Sequence, residues 1–108
     1  MQLTVRPLSQ KLGQRVVINT SFAKGKEKEM VEAAIEHRGR SVLICWTHLS
    51  MPLIGGLITG STEVIPSAWP EHRFDVVWVF DRRSSSPGWD FQQAPQLLLL
   101  GDSAKAIV

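Results

Sequence analysis

Apolar residues occur along this chain in two arrangements, spaced as on one face of a helix or grouped in short unbroken runs. Within residues 24–38 the spacing of a helix face is shown by four residues: Met30, Val31, Ala34 and Ile35. This predicts an amphipathic helix that ends at Gly39, with Glu27 and the other glutamates facing away or at its flanks. A short helix is also predicted within residues 1–13, and another at 51–57 with Ser50 as its N-cap.

The unbroken runs predict strands, because they are short and rich in β-branched and aromatic residues. They lie at residues 14–19, 41–45 and 74–80, and a final extended pair is predicted at 89–93 and 96–100, divided by a proline. Strands that alternate with helices favour an α/β fold with a mostly parallel sheet and right-handed crossovers. The run at 41–45 is apolar throughout, as in a central strand covered on both faces.

Size and composition restrict the class of protein. The 108 residues predict one domain spanning 1–108, and 44% apolar with 20% charged residues is an ordinary globular balance. A net charge of +2 with scattered basic residues predicts no nucleic-acid partner. No apolar run approaches the ~18 residues of a membrane span, and residues 1–11 hold no apolar leader segment, so we expect a cytoplasmic protein with no membrane partner. Cys45 is the single cysteine, which excludes an internal disulfide.

The candidate site lies where the predicted central strand gives way to a helix. Thr47 and His48 end the run, and the helix start follows within three residues. Ligands of open α/β sheets bind beyond the carboxyl ends of strands, and a helix N-terminus there offers free N–H groups to phosphate. His48 is therefore predicted to position a phosphate or to act as base or nucleophile, with the Thr47 hydroxyl donating to the same anion. The alternative interpretation is a histidine satisfied at a strand end, beside an ordinary β-branched residue.

Other chemistry-bearing residues are predicted to be structural. His37 belongs to a charged helix end, and His72 to a turn packed by Trp69. The histidines do not have a zinc-binding spacing, and no glycine-rich phosphate loop occurs, so we expect no metal and no cofactor. Cys45 is expected to be a small buried hydrophobe, and the Gly55-Gly56 pair to permit close packing of its helix.

Several segments, taken in order, resemble the histidine phosphatase superfamily, the phosphoglycerate mutase-like proteins. The segment ending in Trp46-Thr47-His48 resembles the one that carries the family's second catalytic histidine. The other segments lie at residues 9–13, 19–25, 69–80 and 96–102. The resemblance implies a partial three-layer sandwich and metal-free phosphate monoester hydrolysis or phosphoryl transfer. It also implies that His48 contacts the transferred phosphoryl group.

The resemblance is incomplete, because the 108 residues contain no Arg-His-Gly tripeptide, the motif of the family's nucleophile. Loss of such a nucleophile costs on the order of 10⁴ to 10⁶ in rate, so this chain alone is expected to be inactive, as a truncated domain. The expected partner is phosphate or a phosphorylated small molecule. The alternative is a non-catalytic remnant that binds anions or other proteins. A missing strand would leave an open sheet edge, through which homo-oligomers could form.

Overall fold

The fold is mixed α/β. The computed structural model describes residues 2–12, 21–37, 39, 41–84 and 87–108. In chain order the elements are α1 (Gln2–Lys11), α2 (Glu27–Ile35), a 3₁₀ turn (His48–Ser50), α3 (Met51–Thr59), β1 (Val76–Arg82) and β2 (Trp89–Pro95). The strand predicted at 14–19 lies outside the described residues.

The helices follow the predicted apolar patterns, and α2 packs on α3. All three predicted helices are confirmed, although α2 is shorter than expected and ends before Gly39. Met30, Val31 and Ile54 form the buried centre of the contact between α2 and α3. Gly60 ends α3 in the left-handed conformation, with φ 74°, and its N–H bonds the Gly56 carbonyl.

The segment at residues 41–47 corrects the prediction of a central strand. It forms no ladder with another described strand. Its apolar side chains are not covered on two faces, since Val42 and Leu43 are exposed while Ile44 and Trp46 pack against the core of α2 and α3. The apolar run therefore reflects packing on two helices from one side, an arrangement that periodicity does not distinguish from a buried strand.

The described sheet is an antiparallel hairpin of β1 and β2, whose register runs from Val76 opposite Pro95 to Arg82 opposite Trp89. The mostly parallel sheet is therefore not found in the described part of the chain. The strands are consecutive and joined by residues 83–88, and a parallel pair would need a crossover of a dozen residues or more. Aromatic rings line the hairpin, with Trp78 buried between Trp69 and Phe91.

Residues beyond β2 do not continue as the strand predicted at 96–100. Leu97 takes a left-handed conformation, with φ 52°, and the chain turns back towards the hairpin. The Gln93 side chain then binds the Ile107 backbone twice, donating to its carbonyl and accepting from its N–H, both at 2.8 Å. Ile107 is buried, so this residue belongs to the packed structure although Val108 is fully exposed.

Within the described residues, no helix combines the length and apolar character needed to cross a bilayer.

The two adjacent glycines of α3 are expected to respond differently to alanine. Gly56→Ala should raise the free energy of unfolding by about 0.5–1 kcal/mol, because helix propensity improves and the new Cβ would lie 3.4 Å from Thr62 Cγ2. Gly55→Ala should gain less or destabilise, because its Cβ would lie 3.0 Å from Cγ2 of the buried Ile65. Urea denaturation of both variants measures the difference, and equal stabilisation would contradict this packing.

Candidate anion-binding site

The candidate residues lie at the entry to α3. Thr47 precedes the 3₁₀ turn with extended backbone angles, φ −68° and ψ 141°, and His48 is the first residue of that turn. The turn leads directly into α3 at Met51. Thr47 and His48 are both half-buried. The sequence therefore located the junction between an apolar segment and a helix, although the segment is not a strand.

The side chains of Thr47 and His48 are uncommitted within the described part of the chain. The Thr47 hydroxyl does not cap the turn, and neither side chain hydrogen-bonds or ion-pairs with another described residue. An imidazole presents at least one N–H donor in either protonation state, and a hydroxyl can donate one more hydrogen bond. These two adjacent groups can therefore both donate to an external acceptor such as a phosphate oxygen.

The backbone at the start of α3 offers fewer donors than the sequence predicted. The Ser50 N–H bonds the Thr47 carbonyl at 3.1 Å, and the Met51 N–H bonds the His48 carbonyl. Pro52 has no N–H to give. The expectation of free N–H groups at this helix start is thus corrected for Ser50 and Met51, whose N–H groups the 3₁₀ turn uses itself. An anion held here would be bound by the side chains of Thr47 and His48 rather than by the N–H groups of Ser50 and Met51.

The buried carboxylate of Glu27 stabilises this junction. The sequence pattern predicted instead that Glu27 faces away from the core or lies at the flank of its helix. Glu27, the first residue of α2, is only 7% exposed. Its Oε1 accepts hydrogen bonds from the Trp46 indole at 3.2 Å and from the Ser50 hydroxyl at 3.0 Å. The Gly25 N–H donates to the same oxygen at 3.2 Å. Trp46 and Ser50 lie two residues before and two after His48, so Glu27 fixes the backbone on both sides of the imidazole.

The same hydrogen bonds determine the charge of Glu27. Its own backbone N–H and that of Gly25, followed by the Ser50 and Trp46 side chains, lower the pKa of Glu27 from 4.5 to about 2, against the opposing effect of burial. The carboxylate is therefore ionised at neutral pH. Ser50 is the residue before α3, but its hydroxyl makes no cap and binds Glu27 instead. An acidic residue in the first turn of a helix was the one available signal, and it is common on solvated helices as well.

A described cleft lies beside α3 but does not include the candidate residues. Its volume is about 380 Å³, and its lining residues are Pro52, Leu53, Thr62, Ile65, Pro66 and Ser67. The lining carries two hydroxyls and no charged side chain. Thr47 and His48 thus form a surface corner rather than the floor of this cleft.

The remaining chemistry-bearing residues are two histidines and the single cysteine. His37 and His72 are exposed, and Cys45 is a half-buried free thiol. The turn at His72 is closed by Trp69, whose indole donates to the Arg73 carbonyl at 2.9 Å, as predicted for a turn packed by that ring. Among the described residues, no three His, Cys, Asp or Glu side chains are grouped to hold a metal ion.

Comparison of the chain with protein-family models, with curated proteins and with solved structures gives no match in any of the three.

Proposed function

We propose that this chain is a phosphate-binding domain of the histidine phosphatase type, phosphoglycerate mutase-like, in which His48 and Thr47 hold the phosphoryl group. The family's three-layer sandwich with a mostly parallel sheet is proposed for this chain only in part, since its described sheet is an antiparallel hairpin. The ligand is phosphate or a small phosphate monoester in the cytoplasm. The chain by itself does not turn such esters over.

The proposal rests on the His48 imidazole, which lies on an ordered backbone and makes no hydrogen bond to another described residue. Glu27 holds Trp46 and Ser50, while the half-buried His48 between them has no partner among the described residues. A donor whose backbone is already ordered loses little conformational entropy when it binds a ligand. Hydrogen bonds from such donors to a charged phosphate oxygen are stronger than those between neutral groups. This arrangement favours an anion over a neutral ligand at the corner.

The proposed lack of catalysis follows from a motif that the sequence does not contain. Phosphoryl transfer through a phosphohistidine needs a nucleophilic imidazole beside the one that contacts the phosphate. The Arg-His-Gly motif of the family's nucleophile does not occur in the 108 residues. Binding without turnover is therefore the function that these residues support.

Titration with phosphate or vanadate, followed by tryptophan fluorescence, tests the proposal, since Trp46 adjoins the corner. We expect saturable binding that His48→Ala weakens about tenfold or more, as loss of one charge-assisted hydrogen bond predicts. Thr47→Val should weaken it less. His72→Ala is the matched control, because it removes an exposed imidazole elsewhere and should leave the affinity unchanged.

Two results would overturn the proposal. The wild-type chain could give no saturable signal with either anion, which would remove the binding site. It could instead hydrolyse para-nitrophenyl phosphate with a rate that His48→Ala abolishes, which would make the domain catalytic without an Arg-His-Gly motif.

A further inference from the structure

Four consecutive leucines project from the end of the hairpin. The residues 97–100, here called the leucine loop, are Leu97, Leu98, Leu99 and Leu100, and they range from 57% to 107% exposed. Phe74, 84% exposed, lies at the same end, since the Gln96 N–H bonds the Asp75 carbonyl at 2.8 Å just inside both residues. Large apolar side chains in such a group usually mark an interaction surface.

Hydrogen bonds order the backbone of the leucine loop, and the leucine side chains do not fold back onto the protein surface. Asp102 Oδ2 accepts the N–H groups of Leu98 and Leu99, at 3.0 and 2.9 Å. Leu97 is the one non-glycine residue with positive φ among the described residues, a conformation that bulky side chains rarely adopt. Strained backbone that the surroundings maintain is concentrated at functional positions. The leucines are thus held in an outward-facing arrangement before any partner arrives.

We infer that the leucine loop and Phe74 form the interface of a homodimer, covered by the same surface of a second copy. Together these five side chains expose on the order of 600 Å² of apolar surface, at the upper limit for the largest patch on a monomer. A standard stable interface buries about 800 Å² per partner, so the patch with a narrow polar rim is sufficient. In a two-fold dimer each patch meets an identical one.

The charges around the patch favour a second copy over a lipid surface. Arg73 and Asp75 neutralise each other, and the Asp102 carboxylate is used by the loop amides. These three charged side chains therefore add no unpaired like charge between apposed copies. Stable membrane attachment through one apolar loop normally needs a basic cluster as well, whereas residues 96–108 hold one basic residue, Lys105, and the neighbouring Arg73 is paired with Asp75.

Sedimentation equilibrium across the micromolar range tests the dimer. The wild-type chain should fit a monomer–dimer equilibrium, and the double variant L98D/L100D should be monomeric at every concentration. Val64→Asp is the matched control, because Val64 is 61% exposed and lies outside the patch, so its dimer should persist. Thermal melts extend the test, since a dimer melts at higher temperature as concentration rises. L98D/L100D should lose that dependence but keep the melting temperature of dilute wild type.

Four outcomes would overturn the inference. The wild-type chain could remain monomeric throughout the range. L98D/L100D could dimerise as well as wild type, or Val64→Asp could dissociate the dimer equally. Flotation of the monomeric wild type with phosphatidylserine vesicles, lost in L98D/L100D, would assign the loop to a membrane instead.

Discussion

Glu27→Ala is expected to lower the melting temperature by roughly 5–10 °C, because it removes the acceptor of several hydrogen bonds at once. The Trp46 indole, the Ser50 hydroxyl and the Gly25 N–H all donate to Glu27 Oε1. Alanine would leave these donors without a partner beside the core of α2 and α3. Glu27→Gln keeps one carbonyl oxygen but loses the charge, so its effect should be intermediate. Differential scanning calorimetry measures both variants.

Glu29→Ala is the matched control for this prediction. Glu29 lies in the same first turn of α2 and is exposed, so it shares the favourable helix-dipole position but not the hydrogen bonds. Its replacement should shift the melting temperature by a small fraction of the Glu27 effect. Equal shifts for the two alanine variants would show that Glu27 acts only through the helix dipole and does not brace the junction.

The pH dependence of stability should follow from the same carboxylate. The pKa of Glu27 is lowered in the folded protein to about 2 from an ordinary value of 4.5. Above pH 4.5 both the folded and unfolded states hold the ionised form, and the full stabilisation is present. As pH falls from 4.5 towards 2, the unfolded state takes up the proton first and stability is lost. Glu27→Gln should show a shallower decline across this window than wild type, whereas Glu29→Gln should retain the wild-type slope.

The candidate site and the stabilising effect of Glu27 are linked through the backbone around His48. If Glu27 positions the imidazole, Glu27→Gln should weaken phosphate binding by less than His48→Ala, under conditions where the variant is folded. A purely structural role for Glu27 would leave the affinity of the folded fraction unchanged. Measuring affinity and folded fraction in the same sample separates the two roles.

Local sequence was sufficient for the positions of the helices and of both hairpin strands, but it predicted that 89–93 pairs with 96–100, whereas β2 pairs with β1. The stripe at Met30, Val31 and Ile35 specified which face of α2 is buried, since this signal depends only on neighbouring residues. The run at 74–80 likewise predicted β1, with bounds shifted by two residues. Local sequence does not specify which other segment each element packs against. An apolar run is compatible with a two-faced strand or with one-sided packing on helices, and residues 41–47 adopt the second arrangement.

The candidate site was predicted only in part for a related reason. The position of His48 between an apolar segment and a helix could be inferred from the residues themselves. The 3₁₀ turn that uses the Ser50 and Met51 N–H groups depends on the exact path of the backbone, which no motif specifies here. Glu27 joins residues 19 and 23 positions further along the chain, so its role follows from tertiary packing.

Asp75→Asn is expected to detach the C-terminal segment from the hairpin. Asp75 Oδ1 accepts from Arg73 Nε at 2.7 Å, and Oδ2 accepts the Ser103 N–H at 2.7 Å. The Ser103 N–H and then Arg73 lower the pKa of this carboxyl below 3.8. An asparagine amide would place NH₂ against one of these two donors in either orientation. We expect the Ser103 and Ile107 N–H groups to exchange with solvent about tenfold faster or more, measured by NMR.

The control for Asp75 is a second ion pair of the same geometry. Arg83 Nε and Asp90 Oδ1 lie 2.8 Å apart, but their side chains are 46% and 68% exposed, against 14% and 12% for Arg73 and Asp75. Exposed pairs contribute little, so Asp90→Asn should leave exchange and stability nearly unchanged. Below pH 3.8 the contribution of Asp75 should fade as the unfolded state binds the proton first, and Asp75→Asn should not show that loss.

Asp75 also connects this segment to the leucine loop. Its carbonyl accepts the Gln96 N–H and its carboxylate accepts the Ser103 N–H, so it binds the chain on both sides of the four leucines. Asp75→Asn should therefore weaken the dimer without altering any leucine, while Asp90→Asn should not. Unchanged exchange at Ser103 together with an unchanged dimer in Asp75→Asn would show that the loop is ordered by Asp102 alone.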